Sequence, residues 1–400
     1  MNILVINSGS SSIKFQLINM QDQHVICKGL IERIGLSDGI FNYEPADKEK
    51  VKKITDIPDH NTGIHMVLEA LTASDTGVIS SLQEINAVGH RIVHGGEKIQ
   101  KSVLLDENTI PDIESCIPLA PLHNPANLMG VEAVKAELPN VPHVGVFDTA
   151  FHATIPAQAY VYGLDYKYYE HHGIRRFGFH GTSHQYVSMR AAELMGIPLD
   201  SFNCITCHMG NGVSFSAVKG GKSIDTSLGF GTMCGIPMGT RAGDVDPAVI
   251  MHMLDTLGMS TEDVHNEIYK TGGLKGISGV SSDMRDIDEA AEKGDKRAQL
   301  ALDIFAHAAR KHIGAYATEI NGPLHAVIFT AGIGENAIGM REKICEGLEI
   351  LGLKIDSDKN NIRGKEQVIS TADSKVTAMV IPTNEELMIA LDTKKIAEGK

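Results

Sequence analysis

The sequence predicts an α/β chain built from two related halves. Three observations carry this reading. First, the chain opens on an aliphatic run from Ile3 to Asn7, a small-residue turn from Ser8 to Ser12, and a resumed apolar alternation at Ile13-Lys14-Phe15. Second, the same shape recurs at residues 203 to 217. There Cys204 to Cys207 enters a turn holding Asn211 and Gly212, and Val213, Phe215 and Ala217 leave it with a period of two. Third, residues 87 to 147 read as strand, helix, strand, the alternation of an α/β sheet.

Each element has its own signal. Asn19 to Gly29 gives a turn and a third strand, and Gly220-Gly221-Lys222 with Ser223 to Thr226 repeats it. Two meanders with donor-rich turns suggest duplicated domains facing one nucleotide. Residues 43 to 60 are charged and broken by Pro45 and Pro58, so they read as surface strand or loop. Thr62 to Leu71 reads as a helix and Ala87 to Val93 as a strand ending before Gly95-Gly96. Asn124 to Leu138 reads as a helix with Asn124 as its cap and Pro125 first inside. Val141 to Phe147 is a strand ending at Asp148.

Beyond Asp148 the chain turns tyrosine-rich, which puts a domain boundary near residue 150. The expected division is 1–150, joined by a C-terminal helix over 385–400, and 151–384. Thr182 or Ser183 is the expected cap of a helix running to Met195. Asp246-Pro247 opens another, and Ser260 with Asp263 starts the next. Residues 296 to 321 form a long helix. Ala326 to Phe329 is a strand running into Ala331-Gly332-Ile333-Gly334-Glu335-Asn336, read as a glycine loop ahead of a helix. Val376 to Ile381 is the last strand. The final helix, from Asn384 to Ile396, is placed to return to the first domain.

Composition excludes several classes. A chain of 400 residues with 42% hydrophobic content supports two cores. A net charge of -14, with no long basic patch, argues against nucleic-acid binding. The first strand begins at once, which argues against a signal peptide, and no apolar run is long enough to span a membrane. The expected location is cytoplasmic. Six cysteines are too sparse for a disulfide framework, and Cys204 and Cys207 lie in a strand, so buried thiols are expected.

Several polar residues stand just past strand ends, where α/β sheets carry their sites: Asn7, Arg91, Asp148, His208 and Glu385. His123, His180 and Arg241 lie in loops punctuated by glycine or proline. Phosphoryl transfer needs such a set. Cationic donors must meet the oxygens of the moving group, and carboxylates must address a Mg²⁺ that bridges phosphates. A bland alternative holds for each carboxylate: Glu385, in the first turn of a helix, also suits the helix dipole.

The motifs that carry these residues are NSGSSSIKF from Asn7, HRIVHGG from His90, PLHNP from Pro121, FDTAFH from Phe147, GFHGTSH from Gly178, HMGNG from His208, MGTR from Met238, Phe329 to Asn336, and PTNEE from Pro382. Over essentially its full length the chain resembles the acetokinase family of the acetate and sugar kinase/heat-shock protein/actin superfamily. The resemblance implies duplicated actin-like ATPase domains, of the ribonuclease H-like type, with an active-site cleft between them. It implies reversible phosphoryl transfer between ATP and acetate, giving ADP and acetyl phosphate, with Mg²⁺ (or Mn²⁺) as the metal and a homodimer formed through the second domain.

By the same resemblance, Arg91 and Arg241 flank the carboxylate and the moving phosphoryl group, His180 stabilises that group, and Asp148 is the essential aspartate. Asn7 and Glu385 are the metal-associated pair. His123, His208 and Asn211 are further phosphate and substrate contacts. Lys14, Gly212, Asp283, Met284, Arg285 and the run Ala331, Gly332, Ile333, Gly334, Glu335, Asn336 contact nucleotide. Val93, Leu122, Phe179 and Thr232 line the acyl pocket with Arg91 and His123. Related propionate kinases tend to carry Ala where this chain has Val93, so a narrower pocket favouring acetate is expected, with propionate slower. One stretch departs from the pattern. The family usually has a segment like TPLEGL before MGTR, whereas this chain reads GTMCGI from Gly231, with Thr232 and Cys234 in place of the proline and glutamate. Two other readings stand beside this one: a sugar or butyrate kinase of the same superfold, and a non-enzymatic nucleotide switch.

Overall fold

The computed structural model describes residues 1–399; Lys400, the last residue of the expected C-terminal helix, lies outside the described residues. The chain forms two compact units, one of Met1–Ala153 joined by the chain from Asn384, the other of Thr154–Thr383.

The first unit is an eight-stranded sheet. Its strands are β1 (Asn2–Ser8), β2 (Ser12–Asn19), β3 (His24–Glu32), β4 (Gly39–Pro45), β5 (Val51–Thr55), β6 (Ile85–Ile92), β7 (Val103–Leu104) and β8 (His143–Phe147), in the order β5-β4-β3-β2-β1-β6-β8-β7. β1 to β5 form an antiparallel meander, while β1, β6 and β8 run parallel. The charged stretch after residue 43 is thus part strand, in 43–45 and 51–55, and part loop. It supplies the sheet edge, where Lys52 and Lys53 discourage further pairing.

The alternation along β1 sorts its side chains to two faces. Leu4 and Ile6 pack with Ile64, Val67 and Leu68 of the helix His60–Thr72 and with Val134 of the helix Asn124–Glu137. Ile3 and Val5 pack with Ile389 and Ala390 of the helix Glu385–Ala397. The final helix therefore covers β1, β6 and β8 of the first unit. It comes so close that a Cβ at Gly89 would lie 2.4 Å from Thr393 Oγ1.

The second unit repeats the plan. Its strands are β9 (Asn203–Met209), β10 (Val213–Lys219), β11 (Lys222–Thr226), β12 (Ala326–Thr330), β13 (Gln367–Val368) and β14 (Thr377–Val380), in the order β11-β10-β9-β12-β14-β13. An antiparallel meander again leads into parallel strands, β9, β12 and β14. The orders β3-β2-β1-β6-β8 and β11-β10-β9-β12-β14 correspond strand for strand, which is the duplication read from the two turns. Every residue of β9 and β12 is buried, as expected of strands covered on both faces. Cys204 and Cys207 sit inside β9, and burial pushes both thiols up, away from redox or metal chemistry.

Three local expectations change. Asn124 does not cap its helix; His123 holds that position, and the Asn124 side chain bonds His94 instead. Neither Thr182 nor Ser183 caps the helix Gly181–Met195, because the helix starts earlier, behind a left-handed His180. Ala331 to Asn336 is not a loop but a short helix entered directly from β12. It can begin there because Ala331 takes a left-handed φ of 63°.

His90 of β6 and His143 of β8 form a buried pair, with His90 Nε2 and His143 Nδ1 at 3.0 Å. The Leu138 carbonyl, 2.9 Å from His143 Nε2, can only accept, so that nitrogen carries the proton and Nδ1 accepts from His90. Burial lowers the pKa of both rings, so both stay neutral in the fold. The unfolded chain takes up protons below about pH 6.5 while the folded chain does not. Stability is therefore full above that value and falls as the pH drops below it, by up to about 1.4 kcal/mol per pH unit for each ring. Urea unfolding at pH 7.5 and 5.5 should show a steeper loss for wild type than for His90→Gln. Equal slopes would contradict the neutral pair.

Candidate active site

In the first unit, three neighbouring parallel strands end on one edge of the sheet. Asn7 stands near the end of β1, Arg91 near the end of β6, and Asp148 just past β8. Arg91 Nε and Nη2 donate to Asp148 Oδ1 and Oδ2 at 3.0 and 2.6 Å, a fork-to-fork pair, and Nη1 reaches Asn7 Oδ1 at 3.4 Å. The backbone agrees: Asp148 N–H donates to Ile92 C=O at 3.0 Å. Burial opposes the Arg91 charge, but Asp148, Glu385 and Glu386 outweigh it and hold the guanidinium firmly protonated.

The helix Glu385–Ala397 brings two more carboxylates to this edge. Glu386 pairs with Lys14. Burial, and then the negative charges of Asp148 and Glu386, push the Glu385 carboxyl up against the pull of Arg91 and Lys14. Three carboxylates thus face two cations, and Glu385 is the one without an ion-pair partner among the described residues. That imbalance fits a bound cation. No group of three or more His, Cys, Asp or Glu able to hold a metal ion exists among the described residues. A cation held here would need further oxygen ligands from water or substrate.

Around this cluster the other expected residues of the first unit fall unevenly. Val93 is buried directly after β6, and His123 opens the helix Asn124–Glu137. Leu122 is 76% exposed and forms no apolar wall within its unit.

The second unit gathers a different set. His180 precedes the helix Gly181–Met195 with φ at 58°, a strained setting for a residue with a side chain and one that recurs at functional sites. Its ring stacks on His208 with centroids 4.1 Å apart. Ser214 Oγ lies 2.7 Å from His180 Nδ1 and 2.7 Å from His184 Nε2. A hydroxyl has one proton, so Ser214 can donate to only one of the two rings and must accept from the other if it does. His184 Nδ1 is 2.7 Å from Thr206 Oγ1, and Ser183 Oγ is 2.8 Å from His208 Nδ1. This network fixes the plane of His180 and leaves its Nε2 edge turned towards the Asn211-Gly212 turn. A Cβ on Gly212 would stand 3.5 Å from His180 Nε2 and 3.7 Å from Arg241 Nη1.

Arg241 is the counterpoint to Arg91. Its Nη1 donates to Thr232 C=O at 3.0 Å and approaches Met238 Sδ at 3.7 Å. No carboxylate pairs with it among the described residues, and burial lowers its pKa. A partly buried guanidinium without a counter-ion, beside a glycine turn and an oriented imidazole, is built to receive an anion.

Next to this set lies a cavity of about 560 Å³ whose lining includes Asn211, Asp283, Met284, Arg285, Ile333 and Asn336. Gly210 and Gly332 also line it, and a Cβ on Gly332 would meet nothing within 4 Å. Asp283 caps the helix Met284–Glu292 and pairs with Arg285, which holds its carboxyl down at about 2. Glu335 accepts from Thr383 N–H at 3.3 Å rather than lining the cavity. Lys14 belongs to the first unit and its Glu386 pair.

The chain matches the sequence profile of the Acetokinase family over residues 2–391. It is 54% identical to the acetate kinase of Caldanaerobacter subterraneus subsp. tengcongensis over 400 residues, all of both chains. It is 53% identical to that of Methanosarcina acetivorans over 398 residues, covering 100% of this chain and 97% of the relative. The chain belongs to the Acetokinase family. Among solved structures it superposes on acetate kinase of Porphyromonas gingivalis with a TM-score of 0.95 at 46% identity, covering 99% of each chain. It superposes on a propionate kinase from Francisella tularensis with a TM-score of 0.91 at 41% identity, covering 98% of this chain and 99% of that one. The acetokinase fold, two actin-like ATPase lobes, accounts for the duplicated strand order.

Several residues here escaped the sequence reading. Asp288 and Arg363 also line the cavity. Ser214 orders His180, and Asn124 and Asn127 bind the segment after β6. Ser214 and Ser216 alternate as polar residues in a buried strand, a usable sign of a hydrogen-bond network. The departing stretch is firmly held: Gly235, with φ at 91°, donates its N–H to Asp244 Oδ1 at 2.7 Å. Burial raises the Cys234 thiol, which agrees with a passive cysteine.

Proposed function

We propose that this acetokinase transfers the γ-phosphoryl group of ATP reversibly to acetate, giving acetyl phosphate and ADP. The observation that carries the reading is Arg241: a partly buried cation without a carboxylate partner among the described residues, beside His180 and the open Gly212 turn. The acyl oxygen is already ionised at neutral pH, so no strong base is needed and catalysis is alignment and charge stabilisation. Asp148, with both oxygens taken by Arg91, orients that guanidinium rather than abstracting a proton. Arg91 and Arg241 neutralise the carboxylate and the moving phosphoryl group, and His180 donates to the latter. His208 and Asn211 support the phosphates, and the cavity at Asp283, Arg285 and Gly332 takes the nucleoside. Asn7 and Glu385 would hold Mg²⁺ directly or through water. Such a metal would supply positive charge that offsets the charge of the phosphates.

Val93 limits the room for the acyl chain, and a Val at this position favours acetate over propionate by a modest factor. The likeness to a propionate kinase keeps propionate as a slower substrate. Among the described residues no helix is long and apolar enough to cross a membrane. The helix Pro247–Asp255 has no buried residue, and Met251 is 55% exposed, so this apolar face is the proposed homodimer contact. Sedimentation should give twice the 43.1 kDa chain mass; a monomer would refute the contact.

Incubation with ATP, Mg²⁺ and acetate and trapping of acetyl phosphate tests the reading. The wild-type chain should form acetyl phosphate readily, and Arg241→Ala should lower kcat by at least about 100-fold with the fold intact. Wild-type protein that phosphorylates no short carboxylate would overturn the function. An unchanged rate in Arg241→Ala would overturn the assigned role.

A further inference from the structure

The segment leaving β6 is held in an unusual way. Four consecutive backbone N–H groups, from Val93 to Gly96, are all received by side chains. Val93 N–H donates to Asn127 Oδ1 at 3.0 Å, and His94 N–H to Asn124 Oδ1 at 3.1 Å. Gly95 N–H donates to Thr149 Oγ1 at 3.2 Å, and Gly96 N–H to His94 Nδ1 at 2.9 Å. The chain here is therefore no freely moving loop; it is set by the helix Asn124–Glu137 and by Thr149.

Asn127 does more than satisfy one donor. Its Nδ2 donates to Ser8 C=O at 2.7 Å, so a single buried amide, 4% exposed, ties the end of β1 to the exit of β6. The residue before Ser8 is Asn7, and the residue bonded at the other side is Val93. The helix that carries Asn127 is pressed onto β1 without slack: a Cβ at Gly130 would stand 2.1 Å from Ser8 Oγ. A displacement of about 1 Å in such a setting is enough to change rate and selectivity.

We propose that Asn127 is a positioning residue for acyl-chain selection, locking Val93 relative to Asn7 through its two opposed hydrogen bonds. The inference rests on the acetate kinase reading of the site. Asn127 touches no substrate; it acts through the backbone of Val93.

The conservative substitution Asn127→Asp separates this role from general stability. An ionised Asp can still accept from Val93 N–H, but its second oxygen then faces the Ser8 carbonyl oxygen with no proton between them. A protonated Asp restores both bonds. Burial and the facing Ser8 carbonyl oxygen both favour the protonated carboxyl, while the Arg91 guanidinium, bonded to Asn7 next to Ser8, opposes them, so the defect should depend on pH. At pH 8 the variant should raise the KM for acetate about tenfold and narrow the preference for acetate over propionate. The KM for ATP should stay within about twofold. The ratio of variant to wild-type kcat/KM for acetate should recover towards unity as the pH falls to 6. A uniform loss of kcat with unchanged KM for acetate, or a defect independent of pH, would overturn the proposal.

Amide exchange of the wild-type protein gives a readout that needs no variant. Val93 and His94 N–H should exchange as slowly as the amides within β6, and fast exchange at Val93 would overturn the clamp. Wild-type protein that makes no acetyl phosphate, but keeps slow exchange at Val93, would refute the functional reading and leave the clamp standing.

Discussion

A guanidinium held by both oxygens of one carboxylate is the interaction on which the first unit is organised. Arg91 stands on β6 and Asp148 just past its parallel neighbour β8, and their pairing fixes how the two strands end relative to each other. Such a pair is costly to bury and tolerable only when every polar atom finds a partner. The Arg91–Asp148 pair itself meets that condition. Asn7 takes a third guanidinium nitrogen, and the backbone of Asp148 bonds that of Ile92. The final helix then adds Glu385 and Glu386, leaving a surplus of negative charge that a cation would offset.

The second unit solves the opposite problem. Arg241 has been partly withdrawn from water without a carboxylate partner among the described residues, and it bonds a carbonyl and approaches a thioether. An arrangement of this kind is stable only at some cost, and an anionic ligand relieves it. The left-handed backbone at His180 and Ala331 is a second cost, and both residues open helices next to the same turn and cavity. The two units share a strand order, yet one edge carries paired charge awaiting a cation and the other an unpaired cation awaiting an anion.

Much of this was legible in the sequence because local physics expresses it. Strand, small turn, strand at Ile3 to Phe15 and at Cys204 to Ala217 declares itself by period and turn chemistry, and so did the duplicated sheets. Residues at strand ends were readable for the same reason: Asn7, Arg91, Asp148 and His208 follow apolar runs. What stayed hidden depends on contacts far apart in the chain. Asn127 reads as one more polar residue on a helix until Ser8 and Val93 are brought to it. Asn124 looked like a cap because its neighbour is a proline, yet its side chain was needed at His94. The short helix at Ala331 to Asn336 was hidden for another reason: glycine pairs suggest a loop, and only a left-handed Ala331 allows a helix to start there.

Both halves carry groups suited to charge stabilisation, and Asp148 has both oxygens taken by Arg91. The account's central claim is therefore direct transfer between ATP and acetate. Phosphorus stereochemistry tests it most directly: ATP made chiral at the γ-phosphorus with oxygen isotopes is turned over with acetate, and the acetyl phosphate is analysed. A single in-line displacement predicts inverted configuration. Retention would require two displacements through a phosphorylated side chain and would contradict the account.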